Sequence, residues 1–205
     1  VTAIMKSTAD IAAVVASYHT EALIIAGSAG GVDALLKLLP QLPARFSLPV
    51  ICILHVPGDR ESRLAELFDA RLIMPVREAH DKLPVTGYTV YFAPSGYHLS
   101  IERDRTFSLS CEAPVHFARP AIDVLLESAA DAYGPGLAAI LLTGANGDGA
   151  AGMARVHQRG GLTVVQDPAE AQATAMPEAA IKRCPPDLVL SLAQIGALFP
   201  MLEKS

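Results

Sequence analysis

The sequence predicts an α/β fold: a doubly wound, mostly parallel sheet flanked by helices, with an antiparallel hairpin near residues 88–111. Three observations point there. Short apolar runs alternate with segments of helical periodicity along the chain. Several of these runs are apolar throughout rather than at every second residue, as in parallel strands buried on both faces. The chain has 205 residues, 51% apolar and 18% charged, which is ample for one large core.

The elements follow in order. Ala22–Gly27 (ALIIAG) is a short apolar run closed by glycine, and residues 32–39 (VDALLKLL) then read as helix. Residues 49–56 (PVICILHV) are a second buried strand, and the spacing of Leu64, Leu67 and Phe68 makes 61–70 helical. Residues 88–93 and 98–102 alternate as strands do, and 107–111 can pair with the latter across the polar turn at 103–105. Pro120 stands where a first-turn proline suits a helix. After it, Ile122, Leu125, Leu126, Ala129 and Tyr133 form one helical stripe. Residues 136–143 (GLAAILLT) are the most strand-like run. Ala150–Gln158 is helical, Leu162–Gln166 is a strand, and 178–182 begin another helix. Leu188–Leu190 is a last short strand, followed by an apolar helix ending near Leu202. No repeat, low-complexity tract or linker interrupts this pattern, so 22–205 read as one domain behind an N-terminal extension at 1–21.

Composition excludes several classes of function. A net charge of −5 argues against a basic nucleic-acid surface. Cys52, Cys111 and Cys184 are odd in number, widely spaced and without a CxxC, so they read as reduced thiols in a cytosolic protein. Asp10 interrupts the apolar run that a signal peptide needs, and no window of 18 uninterrupted apolar residues would insert in a membrane.

In open α/β sheets ligands meet the carboxyl ends of the strands. After the first strand comes Gly27-Ser28-Ala29-Gly30-Gly31, after the second His55, and after the longest run Thr143-Gly144-Ala145-Asn146-Gly147-Asp148-Gly149. A serine, a histidine and an aspartate thus fall at three strand ends. The glycine loop departs from the dinucleotide fingerprint, because Ser28 occupies the second glycine's place and the second strand ends in His55 rather than an acid. It suits a nucleophile turn better: small neighbours leave the hydroxyl clear, and a helix N-terminus supplies N–H groups for an oxyanion. The order Ser28, His55, Asp148 differs from that of α/β-hydrolases, but triads are recognised by roles. Each residue also has a plainer reading: Ser28 as a turn or cap residue, His55 as a hydrogen-bonded structural histidine, and Asp148 as the cap of the following helix.

Other polar residues carry weaker signals. No pair among the histidines has HxxxH or HExxH spacing, so a metal site is not expected. Arg119 stands at a helix start, where a cation opposes the dipole; this favours a substrate or partner role over a stabilising one. Arg63, Arg71 and Arg77 read as a solvated face.

Seven segments, in order, resemble one family: 24–34 (IIAGSAGGVDA), 54–57 (LHVP), 91–94 (YFAP), 119–125 (RPAIDVL), 142–153 (LTGANGDGAAGM), 164–168 (VVQDP) and 175–179 (AMPEA). Together they resemble the catalytic domain of the chemotaxis-type protein-glutamate methylesterase over residues 22–200. The resemblance implies a Ser-His-Asp triad with Ser28 as nucleophile, His55 as base and Asp148 as the group that orients it. It implies demethylation of glutamyl methyl esters on chemoreceptor cytoplasmic helices, with methanol released, and in some members deamidation of glutamine. The amides of Ala29 and Ala145 are the expected oxyanion donors, with Gly30, Gly31 and Arg119 as weaker substrate-side candidates. The expected partners are a methylated receptor and a receiver domain or other signalling partner; the familiar enzyme carries an N-terminal receiver that residues 1–21 are too short to form.

Three departures stand out: Ala29 where threonine is frequent, Ala145-Asn146-Gly147 where Met-Gly-Asn is familiar, and Lys82 where glycine is common. They leave room for another reading, a catalytically weak homologue that binds a receptor or kinase as a signalling module.

Overall fold

The computed structural model describes residues 7–55 and 62–203. Residues 1–6 of the extension, and the predicted element ends Val56 and Glu61, lie outside the described residues. Among the described residues nine strands and seven α-helices form; the strands are β1 (Ala22–Gly27), β2 (Val50–Leu54), β3 (Val76–Glu78), β4 (Val90–Phe92), β5 (His98–Ile101), β6 (Phe107–Ser110), β7 (Leu137–Leu141), β8 (Leu162–Gln166) and β9 (Leu188–Leu190). The helices that join them are α1 (Thr8–Val15), α2 (Gly31–Leu38), α3 (Leu64–Asp69), α4 (Ile122–Tyr133), α5 (Ala150–Gln158), α6 (Ala175–Arg183) and α7 (Leu192–Leu202).

The main sheet is parallel throughout, with strand order β3-β4-β2-β1-β7-β8-β9. The chain winds outward from β1 to β2 and β4, then returns past β1 to continue through β7, β8 and β9. The switch therefore falls between β1 and β7, whose neighbouring crevice is where an open α/β sheet receives ligands. Gly27 of β1 pairs with Leu54 of β2, and Ala26 pairs with Leu141 of β7, so the three carboxyl ends lie side by side.

Alternation divides each strand between two cores. Leu23, Ile25, Cys52, Ile140 and Val164 face α1, α2, α3 and α7. Ala22, Ile24, Ala26, Ile51, Ala139 and Leu141 face α4, α5, α6 and the β5–β6 hairpin. The second face carries Ala22 and Ala26 on either side of Ile24 in β1 and Ala139 at the centre of β7, which makes room for α4. Ile11 and Val15 bury the apolar side of α1 in the first core, so this part of 1–21 packs with the rest of the fold. A Ser7–Asp10 capping box starts that helix.

The structure corrects the sequence reading in four places. The antiparallel pair is confined to β5 and β6, while residues 90–92 join the parallel sheet instead. Tyr91 in that segment is buried, with its hydroxyl 2.7 Å from Thr86 Oγ1. The short edge strand β3 was not predicted; Arg77 at its centre is exposed. Pro120 precedes α4 rather than filling its first turn, because Ala121 stays extended and gives its N–H to His98 Nδ1 at 3.2 Å. Helix α6 starts at Ala175, three residues before the predicted 178. Lys82 has φ 62°, the left-handed conformation glycine adopts most freely, which explains why glycine suits that turn.

Helices α4 and α5 meet through Gly152. A Cβ built there would lie 2.5 Å from Leu126 Cβ and 3.3 Å from Asp123 Cα. Gly152→Val is therefore expected to destabilise the protein by about 2 kcal/mol through overpacking, read as a lower midpoint in urea unfolding. An unchanged midpoint would mean that the two helices can separate freely.

Candidate active site

Ser28, His55 and Asp148 stand at the carboxyl ends of β1, β2 and β7, on adjacent strands of the sheet. Backbone hydrogen bonds lock these ends together. The Ser28 N–H donates to the Thr143 carbonyl at 2.9 Å, and the His55 N–H donates to the Gly27 carbonyl at 3.3 Å. Thr143 Oγ1 donates to the Ala29 carbonyl at 2.9 Å, and its N–H reaches Gln166 Oε1 at 2.8 Å. The glycine loop, the β7 loop and β8 are thereby held in one frame.

Ser28 is partly buried and does not cap α2: the cap position is Gly30, with no side-chain cap bond. Its carbonyl instead closes a tight turn, accepting the Gly31 N–H at 2.7 Å. Gly30 has φ 80°, and a Cβ there would fall 2.6 Å from Gln172 Oε1, so conformation and space both require glycine. Ala29 and Ala145 are exposed at the mouth of the site, and among the described residues neither N–H has a hydrogen-bond acceptor. Gly31 is buried against Leu54.

His55 Nε2 lies 2.7 Å from Asp148 Oδ2, with the imidazole 13% exposed and the carboxylate fully buried. A carboxylate can only accept, so Nε2 donates and the neutral ring keeps Nδ1 as a bare acceptor. Asp148 accepts more than this one bond. Oδ2 also takes the Ile122 N–H at 2.8 Å, and Oδ1 takes those of Asp123 and Gly149 at 2.9 Å each. Asp148 thus caps not the helix that follows it but α4, whose own cap residue Ala121 offers no side-chain bond. Burial pushes the Asp148 carboxyl up, but the His55 hydrogen bond and the Asp123 and Ile122 N–H groups outweigh it. The carboxyl is held below its ordinary value.

Arg119 NH1 donates to the Cys111 and Glu112 carbonyls at 3.0 Å each, bracing the loop that leads into α4. Buried His98 pins the same loop through Nε2 to the Ala113 carbonyl at 3.1 Å. Among the described residues one grouping has metal-ligand spacing: His116, Asp123 and Asp148, whose ligand atoms lie within 4.8 Å of one another. Each Asp148 oxygen already accepts two N–H donors, so a cation there would displace His55 or the α4 cap.

Sequence reasoning placed the three strand-end residues, and Thr143 at the head of the third loop, but gave no role to Asp123, Thr143 or Gln166. Asp123 lies within the RPAIDVL segment, yet its partners are 25 and 29 residues away. No local spacing announces such bonds.

The CheB methylesterase family model matches residues 23–199. The chain belongs to the CheB methylesterase family. A Leptospira interrogans protein is 40% identical over 185 residues, 90% of this chain and 96% of its own length. The protein-glutamate methylesterase/protein-glutamine glutaminase 1 of Hahella chejuensis is 43% identical over 183 residues, 87% of this chain and 50% of its own. The protein-glutamate methylesterase FrzG of Myxococcus xanthus is 36% identical over 174 residues, 84% of this chain and 52% of its own. This chain therefore spans about half the length of the last two relatives. The crystal structure of the Thermotoga maritima CheB methylesterase catalytic domain matches with a TM-score of 0.84 at 29% identity, covering 91% of this chain and 99% of that one. The expected fold, a doubly wound, mostly parallel sheet flanked by helices with an antiparallel hairpin, agrees with the architecture described and with that catalytic domain. No described helix is long and apolar enough to cross a membrane.

Asp148→Ala is expected to cost about 2–4 kcal/mol in urea unfolding, because it strips the α4 cap and leaves buried N–H donors unpaired. The sign of the pH effect follows from the lowered native value. The carboxylate stabilises the fold above the ordinary aspartate value of about 4. That contribution is lost as pH falls through the lower native value. Wild type minus Asp148→Asn stability, measured from pH 7 to pH 2, should shrink across that window; a constant difference would refute the assignment.

Proposed function

We propose that this chain is a serine hydrolase that removes methyl groups from glutamyl methyl esters on chemoreceptor cytoplasmic helices, with Ser28, His55 and Asp148 as its triad. The observation that carries this reading is the His55–Asp148 hydrogen bond at three adjoining strand ends, beside the Ser28 turn. Family membership and the names of the Hahella and Myxococcus relatives support the substrate class.

The chemistry follows from the groups present. Neutral His55 takes the Ser28 proton through Nδ1 as Oγ attacks the ester carbonyl. Asp148 keeps the Nε2–H tautomer and stabilises the imidazolium that forms. The free N–H groups of Ala29 and Ala145 supply the oxyanion donors, a role that needs backbone only and so tolerates alanine at both positions. The tetrahedral intermediate collapses with loss of methoxide, which takes the proton from His55 and leaves as methanol. Water, deprotonated by His55, then cleaves the acyl-enzyme to give glutamate and free Ser28. The same steps on a glutamine side chain would release ammonia, the second activity in the Hahella relative's name.

None of these steps calls for a metal or cofactor. A substrate on the cytoplasmic part of a receptor places the enzyme in the cytoplasm. A receiver domain or another signalling partner would govern access to the exposed mouth at Ala29 and Ala145. Gly30 and Gly31 serve by letting the loop approach substrate closely. Arg119 acts on substrate indirectly, through the loop it braces.

Methanol release from a methylated receptor cytoplasmic fragment tests this reading. Wild type should release it, and Ser28→Ala should be slower by about a thousandfold or more with an unchanged unfolding midpoint. Equal release by both would sink the Ser28 assignment. Receptor binding by a wild type that never turns over would favour the signalling-module reading instead.

A further inference from the structure

We propose that Asp123 is a positioning residue for this site: its carboxylate locks the start of α5 onto α4 and so holds Asp148 on His55. The inference deepens the triad reading above and rests on it.

The argument is geometric. Asp148 immediately precedes Gly149, the residue at the head of α5. Asp123 lies in the first turn of α4 and is 6% exposed. Its Oδ1 accepts the N–H of Gly152, in the first turn of α5, at 2.7 Å. In return its own N–H donates to Asp148 Oδ1 at 2.9 Å. Each aspartate belongs to one helix start and closes the other, so the two bonds form a reciprocal clasp. Neither helix has a capping side chain of its own: the cap residues are Ala121 and Gly149. The clasp therefore sets the spacing of α4 and α5, and with it the position of the carboxylate that His55 needs.

Charge gives Asp123 a second effect. Its carboxylate and that of Asp148 come within 4.8 Å of each other. Among the described residues, Asp148, His116 and Glu127 act on it. Asp148 faces it from the loop before α5, and His55 lies beyond Asp148. His116 Nε2, on the loop before α4, is 3.4 Å from Asp123 Oδ2, and Glu127 follows along α4 itself. Burial pushes the Asp123 carboxyl up, the Gly152 N–H draws it down, and the Asp148 charge pushes it up again. A second negative charge behind Asp148 favours the protonated imidazole that the reaction passes through.

Asn and Ala variants separate the two effects. Asp123→Asn keeps an acceptor for Gly152 and loses the charge. It should fold with a near-native unfolding midpoint and lower kcat with KM unchanged. In NMR its His55 Nε2–H signal should stay at the wild-type position, because the clasp persists. Asp123→Ala loses the clasp as well: its kcat should fall about tenfold further, and the His55 Nε2–H signal should shift as the His55–Asp148 bond loosens. Wild-type kcat in both variants with an unshifted signal would overturn the proposal. So would activity losses that merely track the unfolded fraction. The NMR measurement needs no substrate, so it also separates this proposal from the triad reading. A shifted signal in Asp123→Ala of a protein without Ser28-dependent turnover would refute the reaction but not the clasp. Ser28-dependent turnover with an unshifted signal in that variant would refute the clasp alone.

Discussion

The site depends on how one buried carboxylate is kept charged. Asp148 has no exposed surface, and a lone carboxylate in such a place would take up a proton. Four N–H donors prevent this: three from the backbone at Ile122, Asp123 and Gly149, and one from His55. The backbone donors come largely from the N-terminus of α4, whose dipole also favours negative charge. The helix needs an anion to close its first turn, and the histidine needs an anion to hold its ring. One side chain meets both requirements. The two structural demands on Asp148, capping α4 and holding the His55 ring, are thus inseparable, whereas Ser28 caps nothing and touches the fold mainly through its backbone.

The parallel sheet makes this economy possible. Every strand of the main sheet delivers its following loop to the same edge, so residues from β1, β2 and β7 meet without long excursions. The approach of α4 is equally built into the strands. Alanines at 22, 26 and 139 keep the facing surface low, and Gly152 lets α5 come against α4. Larger residues at those positions would lift α4 and withdraw the N–H groups that Asp148 accepts. Specificity for the carboxylate's position therefore begins in the core, several residues from any reacting atom.

This layering explains what could be read from sequence and what could not. Ser28, His55 and Asp148 were legible because each follows an apolar run, and the topology of α/β sheets sends run ends to one place. Most helices and the central strands were legible from periodicity. Strand β3 was not, because three residues with an exposed Arg77 carry no pattern. The strand at 90–92 was legible as a strand but its place in the parallel sheet was not, because alternation alone does not tell a parallel partner from an antiparallel one. The role of Asp148 as cap was half-legible: a cap was considered, but for the adjacent helix rather than for one starting 26 residues earlier. Tertiary capping leaves no local signature, since donor and acceptor are set by helix packing and not by spacing.

The two neighbouring aspartates show how surroundings divide labour between identical side chains. Asp148 collects three backbone N–H groups and an imidazole, and its carboxyl is drawn below the ordinary range. Asp123 has one backbone N–H and a more distant histidine, and its carboxyl is raised. Two carboxylates this close cannot both be equally comfortable as anions. The site settles the competition by donor count, so the firmer charge lies on the residue that contacts His55. Environments that push two acids apart in this way are a recurrent means of assigning distinct roles at one site. Here the division follows from which aspartate stands at the mouth of α4 and which stands inside its first turn.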